Sequence, residues 1–416
     1  MKNKLLAAVA TLMSATLIGQ LVQVAFMPLL TRIYTTHDFG MLALFSSALS
    51  VLMVVSSARF ELAIPLPFHD RSAIALARLS IVINFMASLL CLLVIGAVSH
   101  WVIKEDYGVY FWLLPLALLF AGSYKVFSYW AIRKNDYRRL GLTKLMQGGG
   151  TVVGQLFGSM LGAGALGLII GVVLGYLSAF LSFRPAWLSR KIVKGFKGTG
   201  VSRRLIKKHR KLPIYDAPAA FLDSFSSQLP NLLLSILFSP AIGGIYMLAD
   251  RVISTPVSLF SQSIAQVLLG NVRDAVSNGR LSRVAKQLVI GLASLAFFPT
   301  ILCFTFAEEC FGILFGTEWA DSGNYASWLV LGYLGQFIYS PLSVILLSTG
   351  GQSINLGIQI ISLLLRCAAL SIGFFFSDIY LTVKLLSLAT FLGYLFGVSA
   401  VLKHIKFFEM GAGRST

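Results

Sequence analysis

The chain has 416 residues, of which 57% are hydrophobic and only 12% are charged. A soluble domain averages about 25% charged residues, so this composition excludes a soluble protein and indicates a polytopic membrane protein. The net charge of +18 would suggest a nucleic-acid ligand in a soluble protein. In a membrane protein the positions of the basic residues carry the information instead, and we expect no nucleic-acid partner.

Apolar runs of about 20 residues, each long enough for a helix to cross the hydrocarbon core, recur along the chain. The first run begins like a signal peptide, but it continues to Leu30 without a cleavage site, so we expect an uncleaved first span. The runs predict twelve membrane-spanning helices, near residues 5–30, 39–63, 79–103, 109–131, 143–163, 165–187, 214–239, 241–269, 287–308, 325–349, 354–376 and 380–402.

Basic residues concentrate in alternate connections between these spans. The two tails and the even-numbered connections contain 26 Lys or Arg residues, whereas the odd-numbered connections contain two, Arg32 and Lys104. Because short loops rich in Lys and Arg stay in the cytoplasm, this pattern predicts that both termini are cytoplasmic.

The longest polar connection, 189–213, contains ten basic residues and no acidic residue. We expect this linker to lie against anionic membrane lipid. It divides the chain into an N-terminal six-helix bundle (1–188), a basic cytoplasmic linker (189–213), a C-terminal six-helix bundle (214–402) and a cytoplasmic tail (403–416). A faint internal repeat supports the division, because similar short apolar segments begin at Gly40 and Gly244. The predicted fold is therefore all-α, with two bundles around a central cavity.

Glycines recur every four residues in the fifth predicted span, at Gly150, Gly154, Gly158 and Gly162. Lipid gives no hydrophobic drive for helix association, so close contact between helix backbones through small residues must supply it. The sixth span also contains glycines at this spacing. We therefore predict very close packing between spans five and six.

Motifs for catalysis and cofactor binding are absent from the sequence. It contains no P-loop, no dinucleotide fingerprint and no zinc-protease or hydrolase signature, and its four cysteines lack metal-ligand spacing. We expect no enzymatic activity, no cofactor and no metal site. A polytopic membrane enzyme of polysaccharide assembly stays an alternative.

Charged residues inside predicted spans are the candidates for function. Each costs on the order of 2.5–3.5 kcal/mol on insertion scales, so such residues usually face water or protein. Snorkelling to the interface is the expectation for Arg59, Arg184 and Lys384. The other residues considered are four cations, Arg32, Lys125, Arg251 and Arg366, and three acids, Asp216, Asp223 and Asp250.

The small excess of cations favours a cavity that binds phosphate, because arginine can contact two phosphate oxygens at once. The alternative is internal ion pairing, for example of Asp223 or Asp250 with Lys125 or Arg366. The three acids could also couple transport to protons or sodium ions.

The stretch 26–67 begins with a hairpin, PLLTRIYTTHDFG, followed by an apolar helix and then RFELAIPLP. Together with 243–268, it resembles bacterial O-antigen and polysaccharide flippases of the multidrug/oligosaccharidyl-lipid/polysaccharide exporter superfamily. The resemblance implies a multi-pass protein of the bacterial inner membrane that translocates an undecaprenyl-diphosphate-linked oligosaccharide by alternating access. A polymerase and other polysaccharide assembly proteins are the implied protein partners.

Other members of the same superfamily are competing interpretations. A cation-coupled multidrug exporter would need a more acidic or aromatic cavity. A lipid II flippase usually has additional spans, for which this chain lacks the length.

Overall fold

A computed structural model describes residues 19–20, 22–99, 105–183, 203–210, 212–277, 280–349 and 351–412. These residues are almost entirely helical and contain no strand, so the predicted all-α class is confirmed. By proximity of Cα atoms the chain divides into two compact units, the first ending at Ser235 and the second beginning at Ile236. This grouping places most of residues 217–237 in the first unit, whereas the predicted bundle boundary follows the basic linker.

The described helices of the first unit are α1 (Met27–Thr31), α2 (Thr36–Val55), α3 (Asp70–Ser99), α4 (Glu105–Phe111), α5 (Leu114–Arg133), α6 (Tyr137–Met160), α7 (Ala165–Ser182), α8 (Arg203–Lys208) and α9 (Ala217–Leu237). A short 3₁₀ helix, Phe60–Ala63, follows α2, and a π-helical turn, Leu212–Asp216, precedes α9.

The second unit contains α10 (Pro240–Ser277), α11 (Leu281–Phe315), α12 (Ala320–Ser348), α13 (Gln352–Phe375) and α14 (Ile379–Ala412). Its hydrophobic core is formed by buried side chains of all five helices, among them Leu268, Leu281, Leu342, Ile358 and Val401. Helices α11 and α12 approach closely at Gly323, which lies against the backbone of Ala307.

Eight helices in the described part of the chain are long and apolar enough to cross a membrane, so the chain is a multi-pass membrane protein. Helices α6, α9 and α10 coincide with three further predicted spans and have 24, 21 and 38 residues, but they carry more polar side chains. The first predicted span lies mostly outside the described residues, which include an apolar helical stretch Val22–Thr31. The total of twelve therefore stays a prediction.

The polar turn between α1 and α2 caps the N-terminus of α2. The Thr35 hydroxyl accepts a hydrogen bond from the backbone N–H of Asp38, and the Asp38 carboxylate accepts one from the N–H of Thr35. Such a reciprocal capping box satisfies two donors at the helix terminus. The neighbouring Tyr34 donates its hydroxyl to the carbonyl oxygen of Gln155 at 2.6 Å. Burial, with a contribution from the Asp38 carboxylate, raises the pKa of Tyr34 to about 12, so this hydroxyl remains a donor.

Helices α6 and α7 pack backbone against backbone. A Cβ atom built on Gly154 would lie 2.8 Å from the Cα of Gly171. One built on Gly158 would overlap the Cα of Gly167. Real Cβ atoms do not approach other atoms so closely, so these positions accept only glycine in the present packing. The observed contacts have the geometry expected from small residues repeating along one helix face.

The two outer glycines of the predicted ladder behave differently. Gly150 lies against Ser178, and a Cβ there would be 3.4 Å from the Cα of Gly175. Gly162 lies beyond the end of α6, in a turn with φ of +63°. Its backbone conformation favours glycine because other residues would crowd their Cβ. The helical ladder therefore has three members, Gly150, Gly154 and Gly158.

Candidate functional site

An aspartate and a tyrosine are joined by a hydrogen bond between two helices of the second unit. Tyr333 on α12 donates its hydroxyl to Oδ1 of Asp250 on α10. One turn earlier on α10, Tyr246 is buried and lies near both Asp250 and Arg366. The helix spacing of Tyr246 and Asp250, four residues apart, puts both side chains on the same face of α10.

Arg366 lies on α13 within the same neighbourhood. Its guanidinium donates to the hydroxyl of Tyr394 on α14 at 3.4 Å. The ring of Tyr394 packs against that of Tyr339, with centroids 5.5 Å apart, and the Tyr339 hydroxyl donates to Oδ1 of Asn355 at 2.8 Å. Four helices thus contribute side chains to one polar cluster, which we call the tyrosine network: Tyr246, Asp250, Tyr333, Tyr339, Asn355, Arg366 and Tyr394.

The tyrosine network contains one cation and one anion among hydroxyl and amide groups. A guanidinium offers five N–H donors in a rigid fork, and a tyrosine hydroxyl can both donate and accept. These are groups that can bind the oxygens of a phosphate or of a sugar. The carboxylate of Asp250 is stabilised by the Tyr333 hydroxyl.

Arg251 directly follows Asp250 on α10 and is half-buried. Adjacent helix positions do not face each other, so Arg251 projects from a different face than the one on which Asp250 meets Tyr333.

Lys125 of the first unit forms a buried ion pair. Its Nζ lies 2.8 Å from Oε1 of Glu61, whose side chain is 0% exposed. The Ser57 hydroxyl donates to the other carboxylate oxygen of Glu61, and Lys125 also donates to the carbonyl oxygen of Met53 at 3.4 Å. Ion pairing was one interpretation of Lys125, but the observed partner is Glu61 rather than Asp223 or Asp250.

The burial of Glu61 follows from the chain path after α2. Ala58 and Arg59 both have left-handed backbone conformations, with φ of +50° and +63°. Such conformations cost about 1–2 kcal/mol per non-glycine residue. They reverse the chain so that the 3₁₀ helix after them packs into the unit, with Phe60 and Ile64 in a buried cluster. Sequence reasoning missed Glu61 as a site residue; its only signal is a single carboxylate flanked by apolar residues.

Arg59 forms an ion pair with Asp216, the last residue of the π-helical turn before α9. Its Nε lies 2.8 Å from Oδ2 of Asp216, and the two side chains are 21% and 44% exposed. Arg59 was expected to snorkel, whereas the structure shows it bound to a carboxylate. Asp216 was a candidate for ion coupling or charge pairing, and pairing is the arrangement observed.

The remaining candidates occupy more exposed positions. Arg32 is exposed at the C-terminal end of α1, and Asp223 is exposed on α9. Lys384 on α14 is exposed and lies over the ring of Trp328, 5.0 Å from its centroid. Arg184 lies outside the described residues.

Comparison with known families gives one match that covers most of the chain. Residues 29–324 match the family model described as polysaccharide biosynthesis protein. No curated protein sequence matches the chain significantly.

Solved structures with a similar fold are transporters. An inward-facing multidrug resistance MATE family transporter of the MOP superfamily aligns with a TM-score of 0.67 at 12% identity, covering 96% of this chain and 94% of that one. A Vibrio cholerae MATE transporter variant aligns with a TM-score of 0.61 at 12% identity, covering 100% of this chain and 98% of that one.

A third similar structure is a MOP-superfamily transporter from Pyrococcus furiosus, described as having a binding pocket of reverse polarity that suggests a different function. It aligns with a TM-score of 0.58 at 13% identity and covers 96% of both chains. At these identities the similarity establishes the fold, which is that of MOP-superfamily transporters.

Proposed function

The chain belongs to the polysaccharide biosynthesis protein family, and on this premise we propose that it is a flippase for a polyprenyl-diphosphate-linked oligosaccharide. The substrate would be an undecaprenyl-diphosphate-linked O-antigen or a related repeat unit of a surface polysaccharide. Movement would run from the cytoplasmic to the outer leaflet of the bacterial inner membrane. A glycan and a diphosphate cannot cross hydrocarbon unaided, so the protein must give them a polar path while the lipid tail stays in the bilayer.

The observation that carries this proposal is the position of Arg366 in the tyrosine network. Its guanidinium lies within a helix that is otherwise apolar enough to span a membrane, and it is held by the Tyr394 hydroxyl. A cation inside a membrane-spanning helix is energetically costly and usually functional. Arginine and tyrosines together suit a substrate with phosphate and sugar oxygens better than a cationic drug.

The membrane potential could drive this transport. Moving about two negative charges outward through an inside-negative potential of about 100 mV releases roughly 4–5 kcal/mol. ATP is not required on this estimate. Coupling to a proton through Asp250 would add to this driving force.

The proposed orientation in the membrane predicts the results of reporter fusions. Fusions after residue 200 and at residue 410 should report a cytoplasmic location, because both positions lie in basic regions. A fusion near Glu318, in the turn between α11 and α12, should report the periplasm. A cytoplasmic signal near Glu318 would contradict the orientation.

Neutralising Arg366 of the tyrosine network, and Arg251 next to Asp250, tests the proposed substrate site. Arg366→Ala and Arg251→Ala should each abolish surface glycan while the protein level stays normal. Arg366→Lys and Arg251→Lys should restore part of it, because ammonium keeps the charge but loses the bidentate fork. Surface glycan is measured by immunoblot and protein level by quantitative blot of membranes.

Lys384→Ala is the matched control, because it removes one exposed cation from a candidate span of the same unit, whereas Arg366 belongs to the tyrosine network and Arg251 is half-buried next to Asp250. It should leave surface glycan within about twofold of wild type, as expected for the loss of an exposed charge. Normal glycan from both arginine-to-alanine variants would remove the substrate role of these residues. Resistance to cationic drugs that depends on Asp250, with normal glycan, would instead favour a multidrug exporter.

A further inference from the structure

A surface pocket of about 690 Å³ lies at the N-terminal end of α11, and none of its lining residues belongs to the tyrosine network. It is lined by Arg280, Ser282, Arg283, Lys286, Gln287 and Ile290. Among the described residues no ion pair involves any of its three cations, and all three are exposed. The nearby Glu409 accepts a hydrogen bond from the backbone N–H of Ser282 at 3.0 Å. The pocket therefore concentrates positive charge in a concave site of the size that small ligands occupy.

The face of α11 that lines this pocket continues as an apolar stripe. Arg283, Gln287 and Ile290 follow the three- and four-residue spacing of one helix face, and Phe297 and Ile301 extend the same face. Their exposed fractions are 66% for Ile290, 64% for Phe297 and 48% for Ile301. One side of α11 thus presents cations at its end and large apolar side chains along its length.

Helix α11 is also the least covered of the candidate spans in the described part of the chain. Only 6% of its apolar stretch is buried, against 22% to 61% for the others. The side of a membrane-spanning helix that other helices leave exposed has lipid as its neighbour. Because the pocket lies at the end of this helix, it would open where phospholipid headgroups end and the hydrocarbon begins.

We propose that this pocket binds the phosphate headgroup of a membrane lipid, with Arg280, Arg283 and Lys286 around the phosphate and the lipid chain along Ile290 and Phe297. Basic pockets beside membrane helices bind anionic headgroups through such contacts, and arginine adds paired hydrogen bonds to phosphate oxygens. The phosphate belongs either to an anionic phospholipid or to a polyprenyl diphosphate. The site does not depend on the flippase activity proposed above.

Lipid retention by the full-length protein tests the site. Purified protein is mixed with phosphatidylglycerol, polyprenyl diphosphate, phosphatidylcholine or free pyrophosphate, and bound molecules are counted by native mass spectrometry. We expect retention of one or both of the first two lipids and weaker retention of phosphatidylcholine. The double variant Arg283→Gln/Lys286→Gln should lower it about tenfold or more, since each basic residue contributes about 1 kcal/mol.

The matched control is Lys403→Gln/Lys406→Gln on α14. It removes the same charge from two exposed residues with the same three-residue spacing, outside the pocket. It should change retention less than about twofold. The double variant Arg283→Lys/Lys286→Arg keeps both positive charges and should still retain lipid. Loss of lipid in Arg283→Gln/Lys286→Gln alone would then be due to the lost charge.

Comparing the retention of phosphatidylglycerol with that of polyprenyl diphosphate identifies the source of the phosphate. Preference for polyprenyl diphosphate makes the pocket a docking point for a lipid-linked substrate, and preference for phosphatidylglycerol makes it a site for bulk anionic lipid. Three results overturn the proposal: equal loss in the two double-glutamine variants, equal retention of phosphatidylcholine, and binding of pyrophosphate as tight as that of the lipids. A photo-crosslinker at Phe297 that joins two copies of the chain, and forms no lipid adduct, would also overturn it.

Discussion

Lys125→Met is expected to destabilise the protein severely, because it leaves the carboxylate of Glu61 buried without its cation. Glu61 is 0% exposed, and its Oε1 lies 2.8 Å from Nζ of Lys125. Removing one partner of a buried ion pair typically costs about 3–5 kcal/mol. The loss should appear as a lower unfolding temperature of the detergent-solubilised protein and as less protein in the membrane.

Lys134→Met provides the control for this experiment. Lys134 also pairs with a carboxylate, that of Asp70, at 2.7 Å, but the two side chains are 37% and 52% exposed. Exposed ion pairs contribute about 0–1 kcal/mol, so the unfolding temperature should change little. Equal shifts for Lys125→Met and Lys134→Met would show that burial of Glu61 does not determine the cost.

The double variant Glu61→Gln/Lys125→Met separates structure from transport. It leaves no buried charge, and the amide oxygen of glutamine can still accept the hydrogen bond of Ser57, so stability should largely return. If Lys125 only neutralises Glu61, surface glycan returns as well. If Lys125 binds substrate instead, the stable double variant still fails to export glycan.

Gly158→Ala is expected to prevent correct packing of α6 against α7. The added Cβ would overlap the Cα of Gly167 and lie 3.0 Å from its carbonyl carbon and oxygen. These are backbone atoms, so relief requires the two helices to separate along their length. Gly158→Leu should abolish folded protein, and Gly158→Ala should reduce it strongly, both measured by fluorescence-detected size-exclusion chromatography.

Gly149→Ala is the matched control in the same helix. A Cβ at Gly149 meets nothing within 4 Å, and alanine favours a helix over glycine by roughly 0.5–1 kcal/mol. This variant should therefore be as stable as the wild type or more stable. Normal amounts of folded Gly158→Ala protein would show that α6 and α7 do not need their close contact.

The glycine ladder shows which structural features a local sequence pattern can predict. The spacing of Gly154 and Gly158 predicts a close helix contact because every fourth residue lies on one face of a helix. It does not reveal where the helix ends, since the same pattern continues into the turn at Gly162. Helix termini depend on the packing of the connection that follows, and a run of small residues contains little information about that.

The charged candidates show the limit of this approach. Hydropathy identified Lys125 and Arg366 as cations inside spans, but it could not name their contacts. Lys125 meets Glu61, 64 positions earlier in the chain, and Arg366 meets Tyr394 on the next helix. Tyrosines are common in membrane helices, so nothing in the sequence distinguished Tyr333 and Tyr394 from tyrosines that serve only packing.

By itself, the sequence determined that this protein is helical, crosses the membrane many times and has a close glycine contact between two consecutive helices. These properties follow from local quantities: the length of apolar runs, and residues repeating at the helical period. Only the tertiary structure decided which charges are neutralised, that Glu61 is buried, and that tyrosines from α12 and α14 surround Asp250 and Arg366. The physical reason is that an ion pair or hydrogen bond requires two groups within about 3–4 Å, and helix packing brings together residues that are distant in sequence.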